Sequence, residues 1–454
     1  MNKGNLSCQE IEFVLERFSR IGEIDLKLLR ASLERINQST NVYILRSFYQ
    51  SLFFTRSLPI KSERRPGERL KIVFATAIFP SVRHGGGLRL FDLIIDLSKE
   101  HDVFLFSIYS NNSDIDSLRA LEGAGVRVNI TDDTNFTPET LLSLIRNQLG
   151  YVEQEQIDVL QLEFPDSLRF LYDERLRWHS KMISYTLMES VSRRCYIDLK
   201  NLYAGGYSAK EFDLAFLEFL REGQREAEAS KYCDLNIFVT AHDREFNEVF
   251  FGANTRSEVV PTWLSSSQIE MIESSVDKNS VLFLASFQHQ PNIDGVRWYL
   301  KNIHAEVQKT HPDYRLILVG NGPIFEAVKG FEDMEGIEVV GWVDKISPWI
   351  AKAKVCISPI VSGAGIRGKV IQYTAFGRPV VSTKLGAEGL EELEKCSNFR
   401  VASNVSEFID GVVSFLSAPD EPGDALVLSR VTQKLFGLSA GKEKILNAYR
   451  TGLY

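Results

Sequence analysis

The chain has 454 residues, which at ~100–200 residues per domain means two or three domains. Hydrophobic residues at 44%, charged residues at 25%, 30 Gly and 14 Pro exclude a disordered or collagen-like polymer. A balance of 60 acidic to 52 basic residues, net −8, argues against a generic nucleic-acid binder, but leaves room for a local basic pocket for a phosphorylated small molecule.

The N-terminal run MNKGNLSCQEIEFVLERF has no apolar h-region and no small-residue cleavage site, so no secretory leader is expected. Residues 1–69 read as helical. Ser7 and Glu10 have capping-box spacing ahead of the apolar stripe Ile11, Val14, Leu15 and Phe18. A second stripe is Leu29, Leu33 and Ile36, and a third helical stretch runs from Val42 to Phe54. Arg46, Arg56, Lys61, Arg64, Arg65 and Arg69 alternate here with Phe48, Phe53, Phe54 and Leu58. Such mixing can mark a helix lying on an anionic membrane surface. The preferred reading is plainer: a helix packed on the next domain, followed by a solvated linker.

From Lys71 strands and helices alternate. Expected strands are Lys71–Ala77, Asp102–Tyr109, Val126–Ile130, Ile157–Glu163, Met182–Leu187 and Leu235–Thr240. Between them lie a glycine loop at Gly85–Gly87, a stripe at Leu90, Phe91, Ile94 and Leu97, a helix from Pro138 to Leu149 and a long amphipathic helix from Ala209 to Ala229. Gly252 to Lys278 is the weakest stretch and reads as a linker. A second alternating set has strands Ser280–Ala285, Arg315–Gly320, Ile337–Val343, Lys354–Ile360 and Pro379–Thr383, with a helix from about Asp294 to Lys309. This is the pattern of parallel sheets covered by helices. The expected α/β organisation is a helical N-terminal region over 1–69, a Rossmann-like domain over 70–255 and a second over 256–454. Lys442 to Tyr449 is placed to cross back to the first.

The five cysteines, Cys8, Cys195, Cys233, Cys356 and Cys396, are odd in number, scattered and free of zinc-ligand spacing. They fit thiols in a reducing compartment. No uncharged apolar run approaches the ~18 residues of a membrane span. The expectation is a soluble, cytoplasmic protein, with peripheral contact to a membrane surface left open.

The most chemically loaded stretch is SPIVSGAGIRGK. A strand ends at Pro359, Gly363 and Gly365 let the backbone approach a ligand, and a helix follows. Its N-terminus offers unpaired N–H groups and a positive dipole end, both suited to a phosphate. Arg367 and Lys369 add cations in what is expected to be the first turn, where they oppose the dipole. An anionic ligand explains them; the bland alternative is a tight turn with two solvated side chains. The pattern is neither GxxxxGK[ST] nor GxGxxG, so it does not by itself indicate ATP or NAD.

The ordered string VLFLASF, PNIDGVRWYL, YRLILVGNGP and GIEVVGWVDKISPWIAKAKVCISPIVSGAGIRGKVIQYTAFGRPVVSTKLGAEGLE resembles the donor-binding half of retaining GT-B glycosyltransferases, family four. The resemblance is strong from Ser280 to Glu391, weaker from Lys71 to Phe246, and does not reach residues 1–69. It implies two Rossmann-like domains facing a cleft. It also implies transfer of a sugar from a nucleotide-diphosphate donor, with retention at the anomeric carbon and no obligatory metal or other cofactor. By the resemblance Gly363, Gly365, Arg367 and Lys369 match a GxGxRxK donor loop for the diphosphate, with Ile366 between them. Gly341, Trp342 and Val343 match the segment beside the nucleobase. Gln372 stands where the second glutamate of the family's E-x7-E pattern holds the ribose, and Ala364 lies near the place of the first. Gln288, His289 and Asn292 stand where the family carries an Arg and a Lys.

Arg367, Lys369 and His289 are the candidate catalytic residues, and Asn292, Gln372 and Glu388 are candidate donor contacts. Arg83, His84, Gly85, Gly86 and Gly87 form the candidate acceptor-side loop, against the plainer reading of a strand-to-helix turn. Glu163 ends a strand and Glu189 follows another; either could bond acceptor hydroxyls, although capping or salt-bridging is the preferred reading. Asp243 resembles the family's Ser-x-x-Asp segment and reads as a helix N-terminal carboxylate. His101, His179, His242, His304 and His311 lack partners at metal spacing, and no metal is expected. The expected partners are a nucleotide sugar and a glycan, lipid-linked or protein acceptor. The alternative is a non-catalytic GT-B scaffold that binds a nucleotide or glycan. A nucleotide-sugar epimerase ranks last, for want of acid/base carboxylates and histidines.

Overall fold

The structure, a computed structural model, describes residues 5–53, 69–82, 85–108, 114–148, 157–252, 256–265, 275–419 and 421–453. The chain forms two compact units, one of Met1–Val260 with Lys442–Tyr454 and one of Pro261–Gly441.

The first unit is built on seven strands: β1 (Lys71–Thr76), β2 (Asp102–Ile108), β3 (Arg127–Thr131), β4 (Ile157–Glu163), β5 (Ser180–Leu187), β6 (Leu235–Phe238) and β7 (Arg256–Val259). All pairings are parallel, in the order β3-β2-β1-β4-β5-β6-β7. β4 is buried along its whole length, as a strand covered by helices on both faces must be. β7 lies in the stretch expected to be linker. At four residues it is too short, and at Arg256-Ser257-Glu258 too polar, to signal itself.

The N-terminal region is helical: Cys8–Ile21, Leu26–Asn37 and Val42–Ser51. The capping box forms, the Glu10 N–H donating to Ser7 Oγ at 3.3 Å and the Ser7 N–H to Glu10 Oε2 at 2.6 Å. The buried stripes Phe18, Leu33 and Phe48 join Phe216, Phe219 and Phe250 in one core, so these helices complete the unit rather than stand apart. Phe48 is therefore core, and Phe53 packs on Phe13 with ring centroids 4.6 Å apart. Arg46 donates to the Asn5 carbonyl, and Arg69 to Asp102 and the His101 carbonyl. These contacts favour the packed-helix reading; Phe54, Arg56, Leu58, Lys61, Arg64 and Arg65 lie outside the described residues.

Helix Ala209–Tyr232 carries a buried acid. Glu226 accepts from the hydroxyls of Ser190 (2.7 Å) and Ser192 (2.6 Å) and from the Ser192 N–H (3.1 Å). Burial nonetheless pushes its carboxyl up, from 4.5 to about 7. Between those two values the folded chain holds more protons here than the unfolded one. The stability from this site is therefore full below the unfolded value and is lost as pH rises through about 7. Glu226→Gln should remove this slope. Its thermal midpoint should gain on that of the wild type between pH ~5 and ~8 by the equivalent of about 3 kcal/mol. A gap that stays constant across that range would refute the assignment.

The second unit has six parallel strands: β8 (Asp277–Ser286), β9 (Arg315–Asn321), β10 (Ile337–Gly341), β11 (Ala353–Ser358), β12 (Val380–Thr383) and β13 (Phe399–Ala402), in the order β10-β9-β8-β11-β12-β13. β13, with Arg400 exposed in a four-residue run, gives too little pattern to be read from sequence. The helix expected from Asp294 begins at Gln290 and runs to Thr310 through a π-helical turn at Leu300–His304. The last helix, Leu438–Leu453, ends in the first unit, where Lys442 pairs with Asp96 (3.1 Å) and Glu100 (2.9 Å).

All five cysteines are free, and no helix among the described residues is long and apolar enough to cross a membrane.

Candidate functional site

Open parallel sheets bind ligands beyond the carboxyl ends of their strands, at the point where the strand order reverses. In the second unit that point lies between β8 and β11. β8 feeds helix Gln290–Tyr299 through a short loop, and β11 feeds helix Gly368–Ala375 through residues 359–367.

These two connections are packed into one structure. A Cβ at Gly295 would stand 2.8 Å from the Pro359 carbonyl oxygen, so only glycine lets the first helix approach the end of β11. The Ser362 hydroxyl donates to Asp294 Oδ2 at 3.0 Å. Lys369 Nζ donates to Asn292 Oδ1 at 2.6 Å and lies 4.1 Å from the centroid of the Phe283 ring. Asn292 Nδ2 in turn donates to the Ser286 carbonyl at 2.8 Å. Both ends of the Asn292 amide are therefore engaged within the protein.

The glycine turn has the backbone that its sequence demands. Gly363 sits at φ +92° and Gly365 at φ +77°, in the left-handed region that side chains disfavour. A Cβ on Gly363 would also press on Pro291 at 3.1 Å. Arg367 closes the turn, its Nη1 donating to the Ala364 carbonyl at 2.6 Å. Arg367 is the residue before the helix, so only Lys369 of the two expected cations lies in the first turn. Burial, with the Arg367 guanidinium adding to it, holds the Lys369 ammonium well below the usual lysine range. Ser362 to Gly365 are buried, Ile366, Arg367 and Lys369 half-buried and Gly368 exposed. The exposed part of the turn is thus its second half, although Arg367 Nε and Nη2 are themselves buried.

The other expected donor residues lie at the carboxyl ends of strands in the same sheet or on the loops and helices that follow them. Thr383, ending β12, donates from Oγ1 to the Ile360 carbonyl at 2.5 Å and accepts from the Gly386 N–H at 3.0 Å, binding the β12 loop to the β11 loop. Glu388 follows on that loop, half-buried. Gly341 ends β10, with Trp342 exposed (68%) and Val343 half-buried beyond it. Gln372 is half-buried three residues after Lys369 and so shares its face of the helix. His289 is exposed at the start of helix Gln290–Tyr299, which it does not cap through its side chain.

In the first unit Arg83 and His84 lie outside the described residues. Gly85, Gly86 and Gly87 are the first turn of helix Gly85–Ser98, not a loop. Glu163 is buried at the end of β4, 3.7 Å from Arg89 Nη1, and accepts from the Thr186 hydroxyl at 2.9 Å and from Gln161 Nε2 at 3.2 Å. Burial pushes its carboxyl up against the pull of Arg89. The Tyr449 hydroxyl donates to Gln161 Oε1 at 2.7 Å, extending this network to the last helix. Arg89 is not among the expected site residues, although the one cation in the leucine- and isoleucine-rich run Leu88 to Leu97 is a legible sign of a buried charge. Glu189 pairs with Arg194 at 2.7 Å, the salt-bridging reading, and Asp243 stands in the first turn of its helix, as expected, where it also pairs with Arg193 at 3.0 Å. Thr240 caps the helix over Asp243, accepting from its N–H. Among the described residues no three His, Cys, Asp or Glu side chains cluster as a metal site.

Residues 278–418 match the family model described as Glycosyl transferases group 1. A Klebsiella pneumoniae protein, an uncharacterized 44.6 kDa protein in the cps region, is 29% identical over 117 residues, covering 24% of this chain and 30% of its own length. The chain thus spans under a third of that relative. Anabaena HepE, crystallised with UDP and glucose, superimposes with a TM-score of 0.56 at 13% identity, over 84% of this chain and 100% of that one. A glycosyltransferase from Rickettsia africae gives 0.58 at 11% identity, over 85% and 99%. At these identities the structural likeness is one of fold. The chain has the α/β architecture of GT-B glycosyltransferases, with an added helical N-terminal region. The matched stretch contains the whole site just described and supports a group 1 glycosyltransferase.

Proposed function

We propose that this protein is a glycosyltransferase that moves a sugar from a nucleoside-diphosphate donor to an acceptor, with retention at the anomeric carbon and no resident metal. The observation that carries the reading is the glycine turn after β11. It lies at the strand-order reversal of the second sheet, with Arg367 and Lys369 at its reachable end, inside the stretch that matches the group 1 family. Retention rests on the resemblance of the Ser280–Glu391 motif string to the retaining family four.

In this reading the donor diphosphate meets the Ile366–Lys369 end of the turn and the nucleobase lies along Gly341–Val343. β10 is two strands from β8, about 10 Å away, a distance a nucleotide spans. Gln372 serves the ribose through its amide. Breaking the bond to the sugar builds negative charge on the leaving diphosphate. Fixed N–H dipoles and cations stabilise that charge more in the transition state than in the ground state. The unit carrying β1 to β7 takes the acceptor, whether glycan, lipid-linked or protein.

The test is to incubate the full chain with uridine, guanosine and adenosine diphosphate sugars, measuring nucleoside diphosphate release and binding. HepE was crystallised with UDP, so UDP-sugars come first. Release from one donor class is expected; neither release nor binding across the panel would overturn the reading. Gln372 and Ala364, in place of the family's glutamates, favour a second reading, a nucleotide-binding scaffold, for which binding without release is the signature.

A further inference from the structure

We propose that Asn292 is a positioning residue that holds the Lys369 ammonium at the end of β8, so that the cation serving a diphosphate on the β8 side is delivered from the β11 side. The inference rests on the donor reading above and adds to it the group that fixes the cation.

The loop after β8 brings no lysine or arginine of its own: Phe287, Gln288, His289, Gln290 and Pro291 precede Asn292. Lys369 starts on the other side of the strand-order reversal, yet its Nζ ends on Asn292 and over Phe283, both on the β8 side. Asn292 cannot turn away, because its Nδ2 is committed to the Ser286 carbonyl at the last residue of β8. That bond also fixes which end of the amide faces the lysine: an oxygen, which an ammonium needs, rather than a second donor. The only nearby carboxylate on that helix, Asp294, is taken up by the Ser362 hydroxyl and Gln290 Nε2. The charged group that acts on Lys369 is Arg367, of like sign. Lys369 is therefore held by a neutral acceptor and a ring face, which orient it without cancelling its charge. An aspartate at position 292 would hold the lysine as well but would neutralise its charge; asparagine orients the amine without doing so, and an arriving anion then favours its protonated form.

Nucleoside diphosphates (UDP, GDP, ADP) and the matching nucleosides are titrated into the full chain by calorimetry from pH ~6 to ~9. Failure of the wild type to bind any nucleotide removes the donor reading and this inference with it. Given a nucleotide that binds, Asn292→Ala should weaken the diphosphate by about tenfold and leave the nucleoside unchanged. Asn292→Asp, close in shape and suited to the case in which the alanine variant does not fold, should also weaken it. As pH rises the lysine loses its proton and diphosphate affinity falls. The new carboxylate stabilises the ammonium, so in Asn292→Asp that fall should move to higher pH. In a Lys369→Met background, Asn292→Asp should no longer shift the pH profile, because what remains is the titration of the nucleotide's own terminal phosphate. Wild-type binding with an unshifted profile in Asn292→Asp, or equal losses for nucleoside and diphosphate in Asn292→Ala, would refute the positioning role.

Discussion

Arg367→Ala should lower the turnover of sugar transfer by about a hundred- to a thousandfold, the ~3–4 kcal/mol that preorganised donors at a developing charge supply. The affinity for the nucleoside diphosphate product should fall much less. The reasoning is geometric. Arg367 is half-buried at the reachable end of the glycine turn, immediately before the helix, and its Nη1 is anchored on the Ala364 carbonyl. An anchored guanidinium needs no reorganisation when charge develops on the leaving group, so in the proposed transfer it is expected to act on the transition state more than on the ground state. The same anchor makes the arginine part of the turn, so a control is needed. Arg367→Lys keeps the charge but loses the planar fork, and should recover only part of the turnover. The assay is steady-state transfer or donor hydrolysis beside equilibrium binding. Turnover intact with binding lost would show that Arg367 only holds ground-state donor.

The architecture of the second unit is legible because its signals are local. Buried parallel strands such as Ser280–Ala285 and Arg315–Gly320 are continuous apolar runs, and a glycine pair between a strand and a cation-bearing helix can be read without knowing the fold. What stayed hidden depends on contacts between distant segments. β7 and β13 are four residues each with polar members, held by the strands beside them rather than by their own pattern. Asn292 looked like a ligand contact, since nothing in PNIDGV indicates that its amide is bound at both ends, by Ser286 and by a lysine 77 positions away. The Gly85–Gly87 run looked like a loop because glycine is a poor helix residue, yet it starts a helix whose stability comes from the buried face behind it. Arg83 and His84, read with it, lie outside the described residues.

Glu163 is where the sequence offers two roles and the structure separates them. An acceptor-binding carboxylate would be reachable, and its loss would raise the acceptor KM while leaving the fold intact. Glu163 is instead buried at the end of β4, facing Arg89 and accepting from Thr186 and Gln161, with Gln161 tied in turn to Tyr449. Glu163→Ala therefore takes away the carboxylate facing a fully buried guanidinium, together with the acceptor of two buried side chains. Removing one partner of a buried pair costs about 3–5 kcal/mol, because the remaining charge has already been stripped of water. A loss of that size should lower the thermal midpoint of this unit by roughly 10 °C. Glu163→Gln keeps an acceptor for Thr186 but not the charge, and should fall between alanine and wild type. The double change Glu163→Met with Arg89→Met replaces the pair by apolar groups of similar length and should be less destabilising than Glu163→Ala alone. Double-mutant thermal denaturation measures all of these. A Glu163→Ala protein that melts like the wild type but binds acceptor poorly would return the residue to the acceptor site.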